Sequence, residues 1–192
     1  ALLLEVAGTP KPGNVDRERD HPDLRFEQFL AGAVGATGGL RSAADGAPVG
    51  DAFERAVAGM SDAAGTNAQF GALLLLVPLV RTAATGELTA ERAADVVAAT
   101  TVEDAAGFYR AFDHVDVYVD DPPPGTTAPD VRRGSDAVPD LRAADLTLAD
   151  VLGEAADHDG VAAELAGGFE RTFATAERIL ADDGPAGDRA AA

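Results

Sequence analysis

The apolar residues of this chain recur every three or four positions, which is the spacing of amphipathic helices. The pattern predicts helices over about residues 23–37, 51–60, 72–80, 89–99, 100–112, 147–156 and 161–180, and residues 2–7 form the end of another helix that stops at Gly8. We therefore expect an all-α fold of about seven to nine helices, with essentially no sheet, in a single domain spanning residues 1–192.

The longest apolar run extends from Ala72 to Val80. Taken alone, it fits either a buried strand or a buried helix. Its length and the small residues that flank it favour a buried central helix, kinked near Pro78 because proline cannot donate a hydrogen bond within a helix. The run is too short to span a bilayer.

Several helix ends carry residues that favour capping or breaking. Asp23 can cap the helix that follows it, and the pair Gly38-Gly39 weakens or ends that helix. Thr100 and Glu103 have the spacing of a capping box at the start of a later helix.

The last helix is predicted to be long and to start after the turn around Gly160, while Thr147 caps the helix before it. Its apolar face would consist of Val161, Leu165, Phe169, Phe173, Ala176 and Leu180. The tail from about Asp182 is rich in glycine, alanine and aspartate, and we expect it to be frayed.

The least regular stretch is residues 113–140, which we interpret as one long loop or flap. Residues 114–119 alternate between polar and apolar types, as in a short strand. The triple proline and glycine at residues 122–125 must break any helix or strand.

The chain is strongly acidic, with 33 aspartates and glutamates against 15 lysines and arginines, and a net charge of −18. Such a charge repels nucleic acid and anionic membranes, so we expect neither as a partner. Fourteen of the basic residues are arginine, and few residues are aromatic, which is typical of adaptation to high salt. The absence of cysteine and of a signal segment is compatible with the cytoplasm, and a homodimer is compatible with the sequence.

Most of the candidate functional side chains lie in the polar loop of residues 9–23. Two prolines and Gly13 stiffen and turn it, and it holds the only lysine, Lys11. An ordinary solvated turn would look similar, since loops are usually polar. Asn67, before the apolar run, fits either a phosphate contact at a helix N-terminus or a plain helix cap. Glu103 and Asp104 fit either a site or a first helical turn.

The segment from Glu5 to Arg17, with Thr9-Pro-Lys-Pro-Gly-Asn-Val-Asp-Arg17 and then His21-Pro-Asp23, resembles the opening signature of the triphosphoribosyl-dephospho-coenzyme A synthase family. The segment Gly65-Thr66-Asn67 to Gly71 resembles that family's second motif, G-x-N-T-H-K-G. Residues 100–104 and the last helix are similar to a shorter, archaeal-type branch. Members are all-helical transferases that move the triphosphoribosyl part of ATP onto the 2′-hydroxyl of dephospho-coenzyme A and release adenine.

The resemblance implies roles for individual residues, with ATP as substrate and Mg²⁺ expected. Phosphate or nucleotide contacts fall on Lys11, Gly13, Asn14, Arg17, Thr66, Asn67 and Gly71. Catalytic roles fall on Asp16, His21 and Asp23, and the expected metal ligands are Asp16, Asp23, Glu103 and Asp104. Glu5 could also point into the site.

The sequence departs from the second motif, because Ala68-Gln69-Phe70 replaces Thr-His-Lys. A general acid or base and a cation are therefore missing there. Three alternatives stay open: a different pentosyl-phosphate transfer in cofactor biosynthesis, for instance of a pterin type, a nucleotide-binding protein without catalysis, and a purely structural helical protein.

Overall fold

In this computed structural model, residues 1–8 and 15–184 are described. They contain helices and no strand, which confirms the all-α prediction. The α-helices are α1 Leu2–Gly8, α2 Phe26–Gly35, α3 Thr37–Ala44, α4 Val49–Ala64, α5 Phe70–Thr85, α6 Ala90–Ala98, α7 Val102–Arg110, α8 Val138–Ala144, α9 Leu148–Ala155, α10 Gly160–Ala166 and α11 Glu170–Ala181. Short 3₁₀ segments cover Ala111–His114 and Val131–Ala137. Even among the described residues, the predicted seven to nine helices were too few.

The centre of the fold is α4, which packs against α2, α3, α5 and α7. Its inward side chains, among them Phe53, Val57 and Met60, are completely buried. The predicted apolar helix is α5, which lies beside α4 and continues through Pro78 to Thr85. Burial of these side chains is the main stabilising contribution, at roughly 1.5–3 kcal/mol for each large one.

Glycines let α3 approach α4 closely. A Cβ placed on Gly39 would lie 2.3 Å from the main-chain nitrogen of Ala56, so only glycine fits there. Of the two predicted effects of Gly38 and Gly39, weakening or ending a helix, the second is wrong, because both residues lie inside α3. The interruption comes earlier, at Ala36 between α2 and α3.

The start of α2 also differs from the prediction. The helix begins at Phe26, with Arg25 at the cap position, and the Asp20 carboxylate accepts the Phe26 N–H at 2.8 Å. Asp23 is exposed and does not cap the helix. The reason is that two tight turns, with bridges Asp16–Arg19 and His21–Leu24, bring Asp20 back to the helix end.

At the start of α7, the capping box uses Thr101 and Asp104 rather than Thr100 and Glu103. The Thr100 hydroxyl donates to the carbonyl of Val97 instead. The predicted cap Thr147 does accept the N–H of Asp150 at the start of α9.

The predicted long last helix is two helices, α10 and α11. They are separated at Gly168 and Phe169, both with positive φ, and the Phe169 side chain is completely buried. Turning the chain there seats Phe169 in the core, and α11 is left without a buried residue. Leu180, expected on an apolar face, is 77% exposed.

The irregular stretch is shorter than predicted. Of residues 113–140, only 115–130 lack helical structure, and Asp140 lies in α8. The predicted short strand at 114–119 is wrong, because that segment pairs with no other strand among the described residues. The predicted frayed tail includes residues 185–192, which lie outside the described residues.

No single helix in the described ranges is long and apolar enough to cross a bilayer; α5 and α6 reach that length and hydropathy only as a pair, bent by 112°.

Candidate active site

A cavity of about 880 Å³ opens at the N-terminal end of α5. Its walls come from α1, the start of α5, the end of α7, the irregular segment 115–130, and parts of α9 and α10. Elements that are distant in sequence therefore meet here because α5 and α7 both pack on α4. The volume lies in the range of small-molecule sites.

Interlocking aromatic rings form part of the wall. The rings of Phe70 and Phe112 meet edge to face with centroids 4.9 Å apart, and those of Phe108 and Phe112 are 5.3 Å apart. Phe53 closes the cluster from the core side, 5.1 Å from Phe70. Such a surface suits a planar ligand, because aromatic pairs gain about 0.5–1.5 kcal/mol beyond their buried area.

The first turn of α5 supplies polar groups to the cavity. The Asn67 side chain lines it and also accepts the Phe70 N–H at 3.1 Å, so it caps the helix. The N–H groups of Gly71 and Ala72 follow, and they have no acceptor among the described residues. Free N–H groups and the positive end of the helix dipole favour an anion here.

Gln69 also lines the cavity, and it is only 6% exposed. Neither its Oε1 nor its Nε2 atom has a hydrogen-bond partner within the part of the chain that is described. In the sequence, Gln69 stands out only as a departure from the family motif. Its position next to Asn67 was the available signal, but its burial depended on packing against α4.

The irregular segment is held over the cavity by two contacts. The Glu154 carboxylate accepts the N–H groups of Thr127 and Ala128, both at 2.9 Å. The N–H of Ala128 is the largest cause that lowers the pKa of Glu154. The hydroxyl of Tyr109 donates to the carbonyl of Pro129 at 2.5 Å, and burial raises the pKa of Tyr109.

The cavity wall is acidic. Its acidic members among the described residues, with one histidine, are Glu5, Asp120, Asp121, Asp130, Glu154, His158 and Asp159. Arg132 lies beside this wall, paired with Asp121 at 2.8 Å and with Asp130. The hydrogen bond from Arg132 lowers the pKa of Asp130. No arginine or lysine lines the cavity within the described ranges.

The described end of the polar loop lies beside this cavity. Val15 is completely buried in a small cluster with Val6 and Phe29, against which Leu24 and Ala68 pack. Leu24, Phe29 and Ala68 also line the cavity. Val15, at the described end of the loop, is therefore anchored in a cluster that Ala68, just before α5, also joins.

The predicted catalytic residues differ in burial. Asp16 is 8% exposed, and its carboxylate accepts the Glu18 N–H at 2.9 Å. His21 and Asp23 are exposed, as is the predicted phosphate contact Arg17. None of these four residues lines the cavity.

Among the predicted nucleotide contacts, Asn67 and Gly71 line the cavity, while Thr66 lies just outside its lining. Lys11, Gly13 and Asn14 lie outside the described residues. Glu5, for which a position in the site was one possibility, lines the cavity.

Glu103 and Asp104 lie away from the cavity. Exposed Glu103 pairs with Arg142 at 2.8 Å, and this hydrogen bond lowers the pKa of Glu103. Buried Asp104 accepts the Gly50 N–H at 2.8 Å and also accepts from Thr101. In residues 1–8 and 15–184, no three histidine, aspartate or glutamate side chains form a group that could hold a metal ion.

Comparison with known proteins agrees with the motifs. The family model described as CitG, ATP:dephospho-CoA triphosphoribosyl transferase, matches residues 1–192. A crystal structure from Archaeoglobus fulgidus, provisionally named a triphosphoribosyl-dephospho-coA synthase, has the same fold, with a TM-score of 0.67 and 24% sequence identity. The match covers 84% of this chain and 66% of that chain, so this chain spans less than two thirds of the archaeal protein's length. Comparison with curated proteins gives no match.

The match over the full chain, together with the opening signature and the second motif, shows that this chain belongs to the CitG family of ATP:dephospho-CoA triphosphoribosyl transferases.

Proposed function

We propose that this protein is a transferase that moves the triphosphoribosyl group of ATP to the 2′-hydroxyl of 3′-dephospho-coenzyme A and releases adenine. Membership of the family supports the reaction class. The observation that carries the proposal is the cavity of about 880 Å³, which joins an aromatic wall to the free N–H groups at the start of α5. A nucleotide has both parts that such a site recognises, a planar base and an anionic chain.

The triphosphate would lie at the first turn of α5. The N–H groups of Gly71 and Ala72 can donate to phosphate oxygens there. No lysine or arginine in the described ranges lines the cavity. Our candidates for the countercharge are therefore the predicted contacts Lys11, which lies outside the described residues, and Arg17, which is exposed and outside the lining. In a protein of net charge −18, a triphosphate needs such local cations to offset the repulsion by the rest of the molecule.

The acidic wall suits the reacting carbon. When the bond from ribose C1′ to the adenine nitrogen breaks, adenine takes the electron pair and C1′ acquires oxocarbenium character. Carboxylates such as Glu5 and Asp120 stabilise that positive charge electrostatically. The 2′-hydroxyl oxygen of the acceptor then bonds to C1′, its proton passes to a base, and adenine is protonated.

Asp16 is our candidate for that base. It is buried, and its neighbour Val15 packs with Phe29 at the edge of the cavity. His21 and Asp23 are exposed, and we assign them an outer role in orienting the loop.

Mg²⁺ is expected to arrive with the triphosphate. The described residues offer no ready-made protein cage for a metal ion. Mg²⁺ is commonly held by one or two carboxylates together with substrate phosphates and water. Asp16 would supply such a carboxylate as an alternative to its role as the base, since a carboxylate bound to the ion is a poor proton acceptor. When bound, the ion would neutralise phosphate charge.

A nucleotide-binding protein without catalysis is the main alternative. It is favoured by Gln69 and Phe70, which supply neither an acid nor a cation where the family motif has Thr-His-Lys. A different pentosyl acceptor in cofactor biosynthesis is the other alternative.

The test is to incubate the protein with ATP, Mg²⁺ and dephospho-coenzyme A in molar salt and to measure free adenine by chromatography. We expect adenine release that depends on the acceptor, and a fall of at least about 100-fold in Asp16→Asn and Lys11→Ala. Asp62→Asn, on the exposed side of α4, is the matched control and should keep the wild-type rate. ATP binding without adenine release would support the non-catalytic alternative. Adenine release only with another acceptor would support transfer to a different pentosyl acceptor.

A further inference from the structure

The side chain of Gln69 is a buried amide whose hydrogen-bonding groups are unused. The residue is only 6% exposed, and both Oε1 and Nε2 are unpartnered among the described residues. Leaving buried polar atoms without partners costs free energy, so such atoms in a native fold call for an explanation. One explanation is a ligand that supplies the missing hydrogen-bond partners, because this side chain lines the cavity.

The backbone of Gln69 is held in place. Its N–H donates to the sulfur of Met60 at 3.2 Å, and its carbonyl accepts the Leu73 N–H at 2.9 Å. Met60 is completely buried in α4, so this anchor belongs to the centre of the fold. The backbone that carries the amide is therefore fixed at the start of α5, and the side chain it positions is buried at the cavity wall.

The residues around the amide favour a flat, aromatic ligand. Phe70 follows directly in sequence, and its ring meets Phe112, which meets Phe108. All three rings line the cavity beside Gln69. A flat heteroaromatic group can pack on this surface while its edge faces the amide.

We propose that Gln69 recognises the edge of an adenine base, with Oε1 accepting a hydrogen bond from the 6-amino group and Nε2 donating to the neighbouring ring nitrogen. A glutamine amide carries this donor and acceptor pair at the spacing that adenine matches. The inference rests on the proposed function, since ATP and dephospho-coenzyme A both contain adenine. The residue that replaces the histidine of the family motif thus becomes a base-recognition residue.

The first experiment separates binding from folding. Gln69→Leu keeps the volume and removes the unpartnered atoms, so the thermal unfolding midpoint of the ligand-free protein should stay equal or rise. Gln28→Leu is the matched control, because the chain's other glutamine accepts from Arg25 N–H and donates to the carbonyl of Ala64. That control should lower the midpoint and leave nucleotide affinity unchanged.

The second experiment is a double-mutant cycle that combines the Gln69→Leu variant with a substrate analogue altered in its base. Binding affinity is measured by calorimetric titration in molar salt with Mg²⁺. ATP is compared with purine riboside triphosphate, which lacks the 6-amino group, and dephospho-coenzyme A with its purine analogue. Gln69→Leu should weaken binding of the adenine form by about 10- to 100-fold. Wild type should lose a similar factor with the purine form, and the two losses should not add.

The outcomes separate the two sources of adenine. Coupling between Gln69 and the 6-amino group in ATP assigns the amide to the donor substrate, and coupling in dephospho-coenzyme A assigns it to the acceptor; either result supports the inference. Unchanged affinity of Gln69→Leu for all four compounds overturns it, even while adenine release persists and the proposed function stands. If wild type binds none of the four, both the inference and the proposed function fall.

Discussion

Neighbouring acids in one helical turn have opposite roles in this protein. Glu103 is exposed and pairs with Arg142, whereas Asp104 is buried and holds α7 against the start of α4 through the Gly50 N–H. Gly50 must be glycine, because a Cβ there would lie 2.3 Å from the carbonyl oxygen of Asp104. The sequence suggested a metal site for both acids, and the hydrogen bonds of Asp104 instead indicate a structural role.

Replacing Asp104 should therefore destabilise the fold. Asp104→Ala removes the acceptor of the Thr101 N–H in the capping box of α7 and leaves the Gly50 N–H buried without an acceptor, so we expect a loss of about 2–4 kcal/mol in the free energy of unfolding. Urea denaturation measures it. Glu103→Ala is the matched control and should change stability little, since its ion pair is exposed.

A metal role for Asp104 would give the reverse result. Asp104→Ala would then keep its unfolding midpoint and lose only the dependence of ATP binding on Mg²⁺.

At the scale of elements, the cavity depends on the segment 115–130, which has no helical hydrogen bonds of its own. It is held by Glu154 from α9 and by Tyr109 from α7. Because the N–H of Ala128 is the main cause lowering the pKa of Glu154, the tether depends on an ionised carboxylate. A carboxyl group whose pKa is lower in the folded than in the unfolded protein stabilises the fold. That stabilisation is complete at pH values above the pKa of the unfolded protein, and it is lost as the pH falls through the pKa of the folded protein.

The tether should thus weaken in acid. Glu154→Ala should lower stability by about 0.5–1 kcal/mol at pH 7, a small value because solvent screens the exposed carboxylate. The difference from wild type should shrink as pH falls below the ordinary glutamate value of 4.5.

Urea denaturation at pH 7 and at pH 3.5 measures both effects, and amide hydrogen exchange at Thr127 and Ala128 locates them. Glu177→Ala on exposed α11 is the control and should show no pH-dependent difference. An unchanged exchange rate at both amides would contradict the tether.

For the whole molecule, the dominant property is a net charge of −18 on 192 residues. Charge of one sign destabilises the compact state by self-repulsion, and salt screens that repulsion over about 10 Å at 0.1 M and about 3 Å at 1 M. The described residues form few ion pairs, such as that of Arg110 with Glu54 at 2.7 Å, and these do not offset the excess of negative charge.

We therefore predict that the thermal unfolding midpoint rises by at least about 5 °C between 0.1 M and 2 M KCl. Scanning calorimetry measures it. A variant in which exposed Asp62, Glu91 and Glu177 are replaced by asparagine or glutamine should show a smaller rise. A midpoint independent of salt would contradict the prediction of adaptation to high salt.

The helices were the most predictable part of the fold, because helical spacing is a local property of the sequence. The breaks were less predictable, since glycine has two uses. Gly39 sits within a helix to allow contact with Ala56, whereas Gly168 adopts a positive φ and ends one. Only the packing partner distinguishes these uses.

The candidate site was predictable in part. Asn67 and Gly71 were identified from a motif, and both line the cavity. Glu154 and Gln69 were missed as site residues, because their importance comes from contacts with segments remote in sequence.

The sequence by itself determined the helical class, the acidic character and the family signature, because each follows from residue types and their spacing along the chain. The tertiary structure decided which carboxylate holds two helices together and which amide is buried at the cavity wall. Asp104 and Gly50 are 54 positions apart, and the anchor of Gln69 comes from another helix. Burial and hydrogen bonding of a polar side chain depend on such distant partners, so only the packed fold could settle them.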